Sequence, residues 1–197
     1  PDIVVLQEVL GDEALKVLAQ EFVLLAVRRV EEEIRDCGSI HIYVRKGLSE
    51  DCVAVDVPAG LPAAIVRCRY GGMSVDVAGV HLAPLESFQD ERKKQLQKVV
   101  KSMQPGARVV LGDMNARPEE LDALLAVGAF RDAKYEGRSF QPGQTWYDVR
   151  EGQGPAPTVG YAYDRVFYAG CLHAEIFLVG KPRVFCEGVK FSLSDHY

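Results

Sequence analysis

Five short polar clusters lie at the ends of apolar runs whose alternating pattern is typical of β-strands. Strand ends are where a rigid scaffold presents reactive groups. Carboxylate, amide and imidazole groups at such positions could bind a hard cation, polarise a water molecule or hold a phosphate oxygen. The clusters are Gln7-Glu8, His81-Leu82, Gly112-Asp113-Met114-Asn115, Tyr163–Tyr168 and Ser192-Leu193-Ser194-Asp195-His196.

The first three clusters each allow a chemical and a structural interpretation. Glu8 could be a ligand for Mg²⁺, which prefers oxygen donors, or a solvated strand end. His81 could hold a phosphate oxygen or have a structural role. Asp113 could polarise a water molecule while Asn115 and Arg117 bind phosphate oxygens, or the segment could be an ordinary turn that caps a helix.

The last two clusters are equally open when each is taken alone. Asp164 and Arg165 enter an otherwise apolar strand, where a buried charge needs a partner, so they could belong to a site or to an internal ion pair. Asp195 and His196 are adjacent, and the default interpretation of such a dipeptide is a surface turn. The order of all five clusters along the chain is more informative than any one of them.

The elements that would carry these clusters are interleaved strands and helices. Gly71-Gly72 separates two strand-like runs, which is typical of a two-residue hairpin turn. Because antiparallel hairpin pairing dominates the pattern, we predict an α+β fold. The predicted strands are Ile3–Leu6, Phe22–Val30, Ile40–Arg45, Cys52–Val57, Ala63–Tyr70, Ser74–Val80, Ala107–Leu111, Tyr161–Tyr168 and His173–Phe177, and the predicted helices are Asp12–Gln20, Phe88–Met103 and Pro118–Val127.

Composition restricts the classes of function. The 197 residues are 48% hydrophobic, enough for one domain with a real core. With 23 Lys and Arg against 28 Asp and Glu, the net charge of −5 has the wrong sign for gripping many phosphates through surface charge alone. A nucleic-acid role therefore requires clustered basic residues or a metal ion. No apolar run of about 18 residues is present, so we expect no membrane helix.

The five cysteines are scattered along the chain without a C-x-x-C pair. This pattern argues against a disulfide framework or a zinc site, so we expect free thiols and a reducing, intracellular compartment. The segment Gly137–Pro157 contains the single tryptophan, Trp146. Because it is too long for an ordinary connection, we predict a functional or a mobile loop there.

In their order and spacing, the motifs QE, HL, GDMN, DRVFY and SDH resemble those of the endonuclease/exonuclease/phosphatase superfamily of metal-dependent phosphodiesterases. The resemblance extends from Leu6 to His196. It implies a four-layer α/β/β/α sandwich, in which helices flank two packed and mainly antiparallel sheets. The site would lie at one end of the two sheets.

Several details look like the 5′-tyrosyl-DNA phosphodiesterase branch of this superfamily. GDMNAR at Gly112–Arg117 matches its GDxNxR form, QTW at Gln144–Trp146 looks like its TW loop, and YDRVFY at Tyr163–Tyr168 resembles its FDRIFF run. The segment His81–Leu96 is similar to its HLES motif with a following Glu-Arg pair. The match requires an insertion, Ala83-Pro84-Leu85, so either Ser87 or Ala83 corresponds to the serine of the motif.

The resemblance implies a role for each catalytic motif. Glu8 would hold one Mg²⁺, for which Mn²⁺ could substitute. Asp113 would orient or deprotonate the attacking water, and Asn115 would bind a non-bridging phosphate oxygen. His196 would stabilise the pentavalent transition state, with Asp195 supporting the site.

The remaining motif residues would orient these groups or contact the substrate. Asp164 would orient a histidine, for which His81 is the candidate. Arg117 would contact a phosphate, Ser87 would line the substrate site, and Trp146 would stack on a base, although Trp146 could instead anchor its loop to the body of the domain.

The function implied is Mg²⁺-dependent hydrolysis of a 5′-phosphotyrosyl–DNA adduct, a step of DNA repair. The substrate would be a single-stranded 5′ end carrying a protein or tyrosyl adduct, and the enzyme would be a monomer of the nucleus or cytoplasm that does not use a membrane. The same chemistry could act instead on RNA, abasic DNA, an inositol phosphate or a phospholipid. A binding module that keeps the fold without catalysis is the alternative from another class.

The two ends of the chain depart from the superfamily pattern. Its members normally have an asparagine-bearing strand before the QE motif and a closing strand after SDH. Neither is present within residues 1–197. We therefore expect these residues to form a single catalytic domain that is truncated at both ends.

Overall fold

The structure is a computed structural model. It describes residues 1–9, 13–31, 36–135, 146–147, 160–161, 163–172, 175–176, 183–186 and 189–192. Asp195, His196 and the side chain of Trp146 lie outside the described residues, as does most of the segment 137–157.

Strands and helices are interleaved along the chain, as the sequence predicted. In chain order the elements are β1 (Ile3–Val9), α1 (Glu13–Leu18), β2 (Phe22–Glu31), β3 (Asp36–Arg45), a 3₁₀ helix (Lys46–Asp51), β4 (Cys52–Val55), β5 (Ala63–Tyr70), β6 (Met73–His81), a 3₁₀ turn (Glu86–Phe88), α2 (Gln89–Ser102), β7 (Ala107–Asp113), a 3₁₀ turn (Pro118–Glu120), α3 (Leu121–Val127), β8 (Arg131–Asp132), β9 (Lys134–Tyr135), β10 (Trp146–Tyr147), β11 (Gly160–Tyr161), β12 (Asp164–Ala169), β13 (Glu175–Ile176), β14 (Arg183–Cys186) and β15 (Val189–Ser192).

Two sheets carry the fold. One has three antiparallel strands in the order β1-β3-β2, and the other has six strands in the order β4-β5-β6-β7-β12-β8. In the larger sheet β6 and β7 are parallel, with α2 as the crossover between them, and the other pairs are antiparallel. Two mainly antiparallel sheets with helices confirm the predicted α+β class.

Apolar side chains cover both faces of the six-stranded sheet. On one face, Ile40 and Ile42 of the three-stranded sheet pack with Val66 of β5, and all three are fully buried. On the other face, Leu96 of α2 and Leu124 of α3 belong to a core that includes the sheet. The larger sheet is therefore the central layer. Within the described residues, no helix is both long and apolar enough to cross a membrane.

Most predicted strands within the described residues are confirmed, and several of them extend further than predicted. Two predicted bounds are wrong: β4 ends at Val55 and not at Val57, and Tyr163, inside the predicted strand Tyr161–Tyr168, belongs to neither β11 nor β12. The bounds of β5 are as predicted, and Gly71-Gly72 forms the turn to β6, with Tyr70 opposite Met73 and φ values of 55° and 82°. The strands β1, β6 and β7 continue through their terminal polar residues. Ladder hydrogen bonds come from the backbone, so a polar side chain does not end a strand that still has a partner.

The expectation of free thiols is wrong for two of the cysteines. Cys52 and Cys68 lie directly opposite each other on β4 and β5, with Cα atoms 4.1 Å apart, and form a disulfide. Both are buried against the three-stranded sheet. The pairing depends on strand register across a separation of 16 residues, which the spacing of cysteines does not reveal. Cys171 is free and exposed.

Gly112 allows the two sheets to approach each other at the end of β7. Its φ is 130°, and a Cβ atom there would clash with the Val80 carbonyl oxygen and lie 2.6 Å from Nε2 of Gln7. Displacing backbone atoms of a central sheet has a high free-energy cost. A side chain at this position would therefore disturb both β6 and the contact between the sheets.

We predict that Gly112→Ala lowers the free energy of unfolding by about 1–3 kcal/mol, because the substitution adds backbone strain and a clash. The matched control is Gly47→Ala, since a Cβ added at Gly47 would meet no atom within 4 Å and the φ of that residue is ordinary. This control should stay within about 0.5 kcal/mol of the wild type. Urea unfolding of both variants is the measurement, and equal losses would contradict the prediction.

Candidate active site

Three of the predicted residues form a row across the ends of three neighbouring strands of the six-stranded sheet. His81 ends β6, Asp113 ends β7 and Asp164 begins β12, and the strand registers place His81 opposite Asp113 and Asp113 opposite Asp164. The row forms because β6 and β7 are parallel while β12 is antiparallel to β7. The carboxyl ends of the first two strands thus meet the amino end of the third.

Glu8 reaches this row from the other sheet. Its Oε1 lies 4.0 Å from Nε2 of His81, and Oδ2 of Asp113 lies 3.7 Å from the same nitrogen. Glu8 sits in an irregularity of β1 with φ of 52°. Gly38 of β3 accommodates it, because a Cβ there would come within 2.8 Å of the Glu8 carbonyl carbon. Such bulges re-aim side chains near active sites.

Gln7 is a site residue that sequence reasoning did not single out. Its Oε1 accepts a hydrogen bond of 2.9 Å from the backbone N–H of Asp113, so it links the smaller sheet to the larger one at the row. The signal was present in the sequence, since Gln7 precedes Glu8 in the first polar cluster. What could not be inferred is that the side chain of Gln7 faces the second sheet.

Hydrogen bonds fix the turn that follows β7. Oδ1 of Asp113 accepts a 2.7 Å bond from the Asn115 N–H, and Nδ2 of Asn115 donates a 3.0 Å bond to the Leu82 carbonyl. Asp113 and Asn115 are both buried, and Asn115 has φ of 47°. Non-glycine residues in this conformation are uncommon, and they cluster at functional sites. Asparagine adopts this conformation more readily than most other residues, which suits Asn115 to the turn.

Arg117 lies next to this turn and is half-buried. Its Nη1 donates a 2.6 Å bond to the Asn115 carbonyl, and its guanidinium lies 5.0 Å from the centre of the Tyr163 ring. The Arg117 N–H donates a 3.3 Å bond to Oε1 of Glu120, the last residue of the following 3₁₀ turn. The side chain is thus oriented by two contacts.

Ser87 lies in the 3₁₀ turn that precedes α2, on the connection from β6. It lines an open cavity of about 680 Å³ together with Glu86, Gln89 and Asp90. Two of these four lining residues are acidic. Ser87 is exposed, and Ala83, the alternative counterpart of the motif serine, is half-buried.

The structure does not pair Asp164 with Nδ1 of His81, and that nitrogen is buried with no hydrogen-bond partner among the described residues. The orienting role of Asp164 stays a prediction. Arg165 points elsewhere, and its Nη1 lies 2.6 Å from Oδ2 of Asp132 on β8. The internal ion pair considered for this cluster therefore forms between neighbouring strands, from Arg165 to Asp132.

Burial raises the pKa of the Asp132 carboxyl, and the charge and hydrogen bond of Arg165 oppose that rise without cancelling it. The desolvation cost exceeds the attraction because one carboxylate oxygen, Oδ1, is buried without a hydrogen-bond partner among the described residues. Folding therefore makes the carboxylate form of Asp132 less favourable than it is in the unfolded chain.

The donor set around Glu8 suits a hard cation. Among the described residues, no three His, Cys, Asp or Glu side chains converge as a ready cation cage. Mg²⁺ is usually held by one or two carboxylates and keeps several waters, so a complete cage is not required. The side chain of Glu8 is 48% exposed beside the buried Asp113 carboxylate, which fits that mode of binding.

Comparisons with known proteins address the fold. Neither the models of known protein families nor the curated protein sequences give a match to this chain. Solved structures do match. D. rerio TDP2 complexed with a single-strand DNA product has a TM-score of 0.60 and 18% identity, and the match covers 86% of this chain and 71% of that one. The human Nocturnin catalytic domain has a TM-score of 0.58 and 18% identity over 85% of this chain and 69% of that one, and a beta toxin from Staphylococcus aureus has a TM-score of 0.68 and 15% identity over 100% of this chain and 84% of that one.

These three structures all have the endonuclease/exonuclease/phosphatase fold. They confirm, at the level of the fold, the resemblance that the five motifs indicated. Identities of 15–18% carry the fold alone, so the chemistry must be argued from the residues of this chain.

We predict that Gln7→Leu destabilises the protein by about 1–3 kcal/mol, because it leaves the buried Asp113 N–H without an acceptor. Leucine keeps most of the volume of glutamine, so packing loss is a small part of the effect. The free energy of unfolding in urea measures it. Gln20→Leu, at an exposed position outside the sheets, is the control, and a loss no larger than the control's would count against the inter-sheet bond.

The raised pKa of Asp132 predicts a pH dependence of stability. Its contribution is fully present below the pKa of an unfolded aspartate, about 3.9, and is lost as the pH rises through the higher folded-state value. The difference in unfolding free energy between wild type and Asp132→Asn should therefore fall as the pH increases from 3 towards neutrality. If the difference in unfolding free energy instead grows with pH, the attraction of the Arg165 charge outweighs the desolvation of Asp132.

Proposed function

We propose that this protein is a metal-dependent phosphodiesterase, and that it hydrolyses the phosphodiester between a tyrosyl group and the 5′ end of single-stranded DNA. One observation carries the proposal: Glu8, His81, Asp113 and Asn115 converge at one edge of the paired sheets, with Asp164 in the same row. An acidic, amide and imidazole cluster of this kind is suited to phosphoryl chemistry.

Each residue has a role that its position supports. Glu8 would hold Mg²⁺ or Mn²⁺, which as a Lewis acid lowers the charge on a phosphate oxygen. Asp113, whose backbone is held by Gln7, would orient or deprotonate the attacking water. The amide group of Asn115 would bind a non-bridging oxygen. The water oxygen would bond to phosphorus, with its proton passing to Asp113, as the bond to the tyrosyl oxygen breaks. The tyrosyl oxygen would take a proton from solvent, which leaves a 5′-phosphate and a free tyrosine hydroxyl.

The resemblance supplies two further proposed residues outside the described part of the chain. His196 would stabilise the charge that develops on the pentavalent phosphorus, and Asp195 would support it. Preorganised donors aimed at developing charge are the largest single contribution in many enzymes. Asp164, which lies in the same row as Asp113, would orient a histidine of the site.

Substrate contacts are proposed from position and side-chain chemistry. Arg117 has a guanidinium beside the turn of Asn115, where it can pair with a phosphate. Ser87 would contact the strand from the connection after β6, and Trp146 would stack on a base. A single-stranded substrate is also supported by the D. rerio TDP2 structure, which holds a single-strand DNA product.

A second candidate substrate is a small phosphodiester with one negative charge. Glu86 and Asp90 line the cavity beside Ser87, and carboxylates there repel a polyanion. The same row of residues would carry out the same hydrolysis on such a substrate. Comparing turnover of a 5′-phosphotyrosyl oligonucleotide with that of a single nucleotide ester separates the two candidates.

We predict that Asp113→Asn lowers kcat for the 5′-phosphotyrosyl oligonucleotide by about 10²–10³, by analogy with removal of one preorganised catalytic group. Release of 5′-phosphate should require Mg²⁺ and stop when EDTA is added. Asp56→Asn is the matched control, because Asp56 is exposed and follows β4, which lies three strands away from β7 in the larger sheet.

The outcomes of this experiment are distinct. Metal-dependent release that is lost in Asp113→Asn but kept in Asp56→Asn supports the proposal. Turnover of the nucleotide ester alone would move the substrate to the small phosphodiester. Absence of turnover with every substrate, from a protein that still binds the oligonucleotide, would identify a binding module.

A further inference from the structure

Arg92 is fully buried and uses its guanidinium to join two loops of the candidate site. Its Nε and Nη2 donate bonds of 2.8 and 2.5 Å to the carboxylate of Glu120. Its Nη1 donates bonds of 2.9 and 2.6 Å to the carbonyls of Ala83 and Leu85. The Arg92 and Glu120 side chains are both almost completely removed from solvent.

These bonds are part of a closed ring of contacts. From Glu120 the ring continues to the N–H of Arg117, from Nη1 of Arg117 to the carbonyl of Asn115, and from Nδ2 of Asn115 to the carbonyl of Leu82. Leu82 is followed by Ala83, whose carbonyl returns the ring to Arg92. We call this set the Arg92 ring. It joins the 82–88 connection to the 115–120 segment.

The buried ion pair of the Arg92 ring contributes little net stability. Burying an ion pair costs several kcal/mol per charge in desolvation, and well-packed apolar residues of similar size often do as well or better. Leu85 also has φ of 65°, a strained conformation for a bulky residue, and its side chain is 59% exposed. The strain places the Leu85 carbonyl where Arg92 can bind it, which points to a role in geometry.

The two segments joined by the ring carry two of the proposed substrate contacts, Ser87 on the first segment and Arg117 on the second. Resting on the function proposed above, we infer that Arg92 and Glu120 are positioning residues that set the separation of these contacts. A substrate with several phosphates needs that separation to match its backbone, because displacements of about 1 Å can cost up to 10²-fold in rate. A substrate with one phosphodiester does not span both contacts.

Two substitutions loosen the ring without removing a proposed substrate contact. Arg92→Lys keeps the charge but loses the planar fork that holds a carboxylate and two carbonyls at once. Gln95→Ala removes the Oε1 that accepts a 2.9 Å bond from the Ala83 N–H, and it creates no unpaired buried charge. If Arg92→Lys fails to fold, Gln95→Ala still decides the question.

The chain contains a matched control. Arg67 and Asp76 form a second bidentate pair, at 2.7 and 2.9 Å, and Asp76 also accepts a bond from the Gln104 N–H. The hydrogen bond to Asp76 raises the pKa of Arg67. Asp76 lies near the start of β6, five residues before the row that contains His81. Arg67→Lys therefore makes the same chemical change far from the site.

The test compares two substrates and one product. We expect Arg92→Lys to raise KM for the 5′-phosphotyrosyl oligonucleotide, relative to KM for thymidine 5′-(4-nitrophenyl phosphate), by about ten- to a hundredfold. The Kd of a 5′-phosphorylated oligonucleotide should rise in parallel, and Gln95→Ala should give a smaller rise of the same kind. Arg67→Lys should lower thermal stability and leave the ratio of the two KM values unchanged.

Each result has a definite meaning. If Arg92→Lys and Arg67→Lys change the KM ratio equally, or if Arg92→Lys lowers kcat equally for both substrates and leaves both KM values unchanged, the ring is structural and the inference is wrong. If the wild type hydrolyses neither substrate, the proposed function fails, and the Kd values still test the ring. A wild type that does not bind the oligonucleotide would overturn both.

Discussion

The parallel pairing of β6 with β7 is the constraint on which the candidate site depends. It brings two strand ends to one edge, so that His81 and Asp113 lie side by side although 31 residues separate them in the sequence. The antiparallel β12 then adds Asp164 to the same row. A shift of the register by one residue would turn every side chain of a strand to the opposite face and dismantle the row.

Positions with unusual backbone geometry concentrate around this row. Four non-glycine residues of the described part of the chain have positive φ, and three of them, Glu8, Leu85 and Asn115, lie in or beside the segments that form the site, while Ala129 lies after α3. The surrounding hydrogen bonds and the close approach of the sheets hold them in place. Strain of this kind persists only where the rest of the structure over-determines it. The site is thus built on rigid contacts between the sheets and the connections that follow the strands.

The arginines around the sheets differ in what their guanidinium groups contact. The net charge of −5 gives no general affinity for a polyanion. Arg92, Arg67 and Arg165 are each committed to a carboxylate within the fold. Arg117, by contrast, contacts a carbonyl and the ring of Tyr163 and lies beside the row. Of these four arginines, Arg117 is therefore the one whose guanidinium would be available to a phosphodiester at the row.

The local pattern of apolar and turn residues determined the strands and turns of this protein. The tertiary structure decided which distant residues contact each other. Alternation of apolar residues predicted the strands, β5 to the residue, and Gly71-Gly72 predicted its turn, because both signals act over a few neighbouring positions. The polar clusters at strand ends likewise indicated Glu8, Asp113 and Asn115 before their contacts were known. The Cys52–Cys68 disulfide, the Gln7 bond to Asp113 and the Arg92 ring were not predicted. Each joins residues through strand register or through the packing of separate segments, and periodicity along one chain segment contains no information about which distant segment will lie against it.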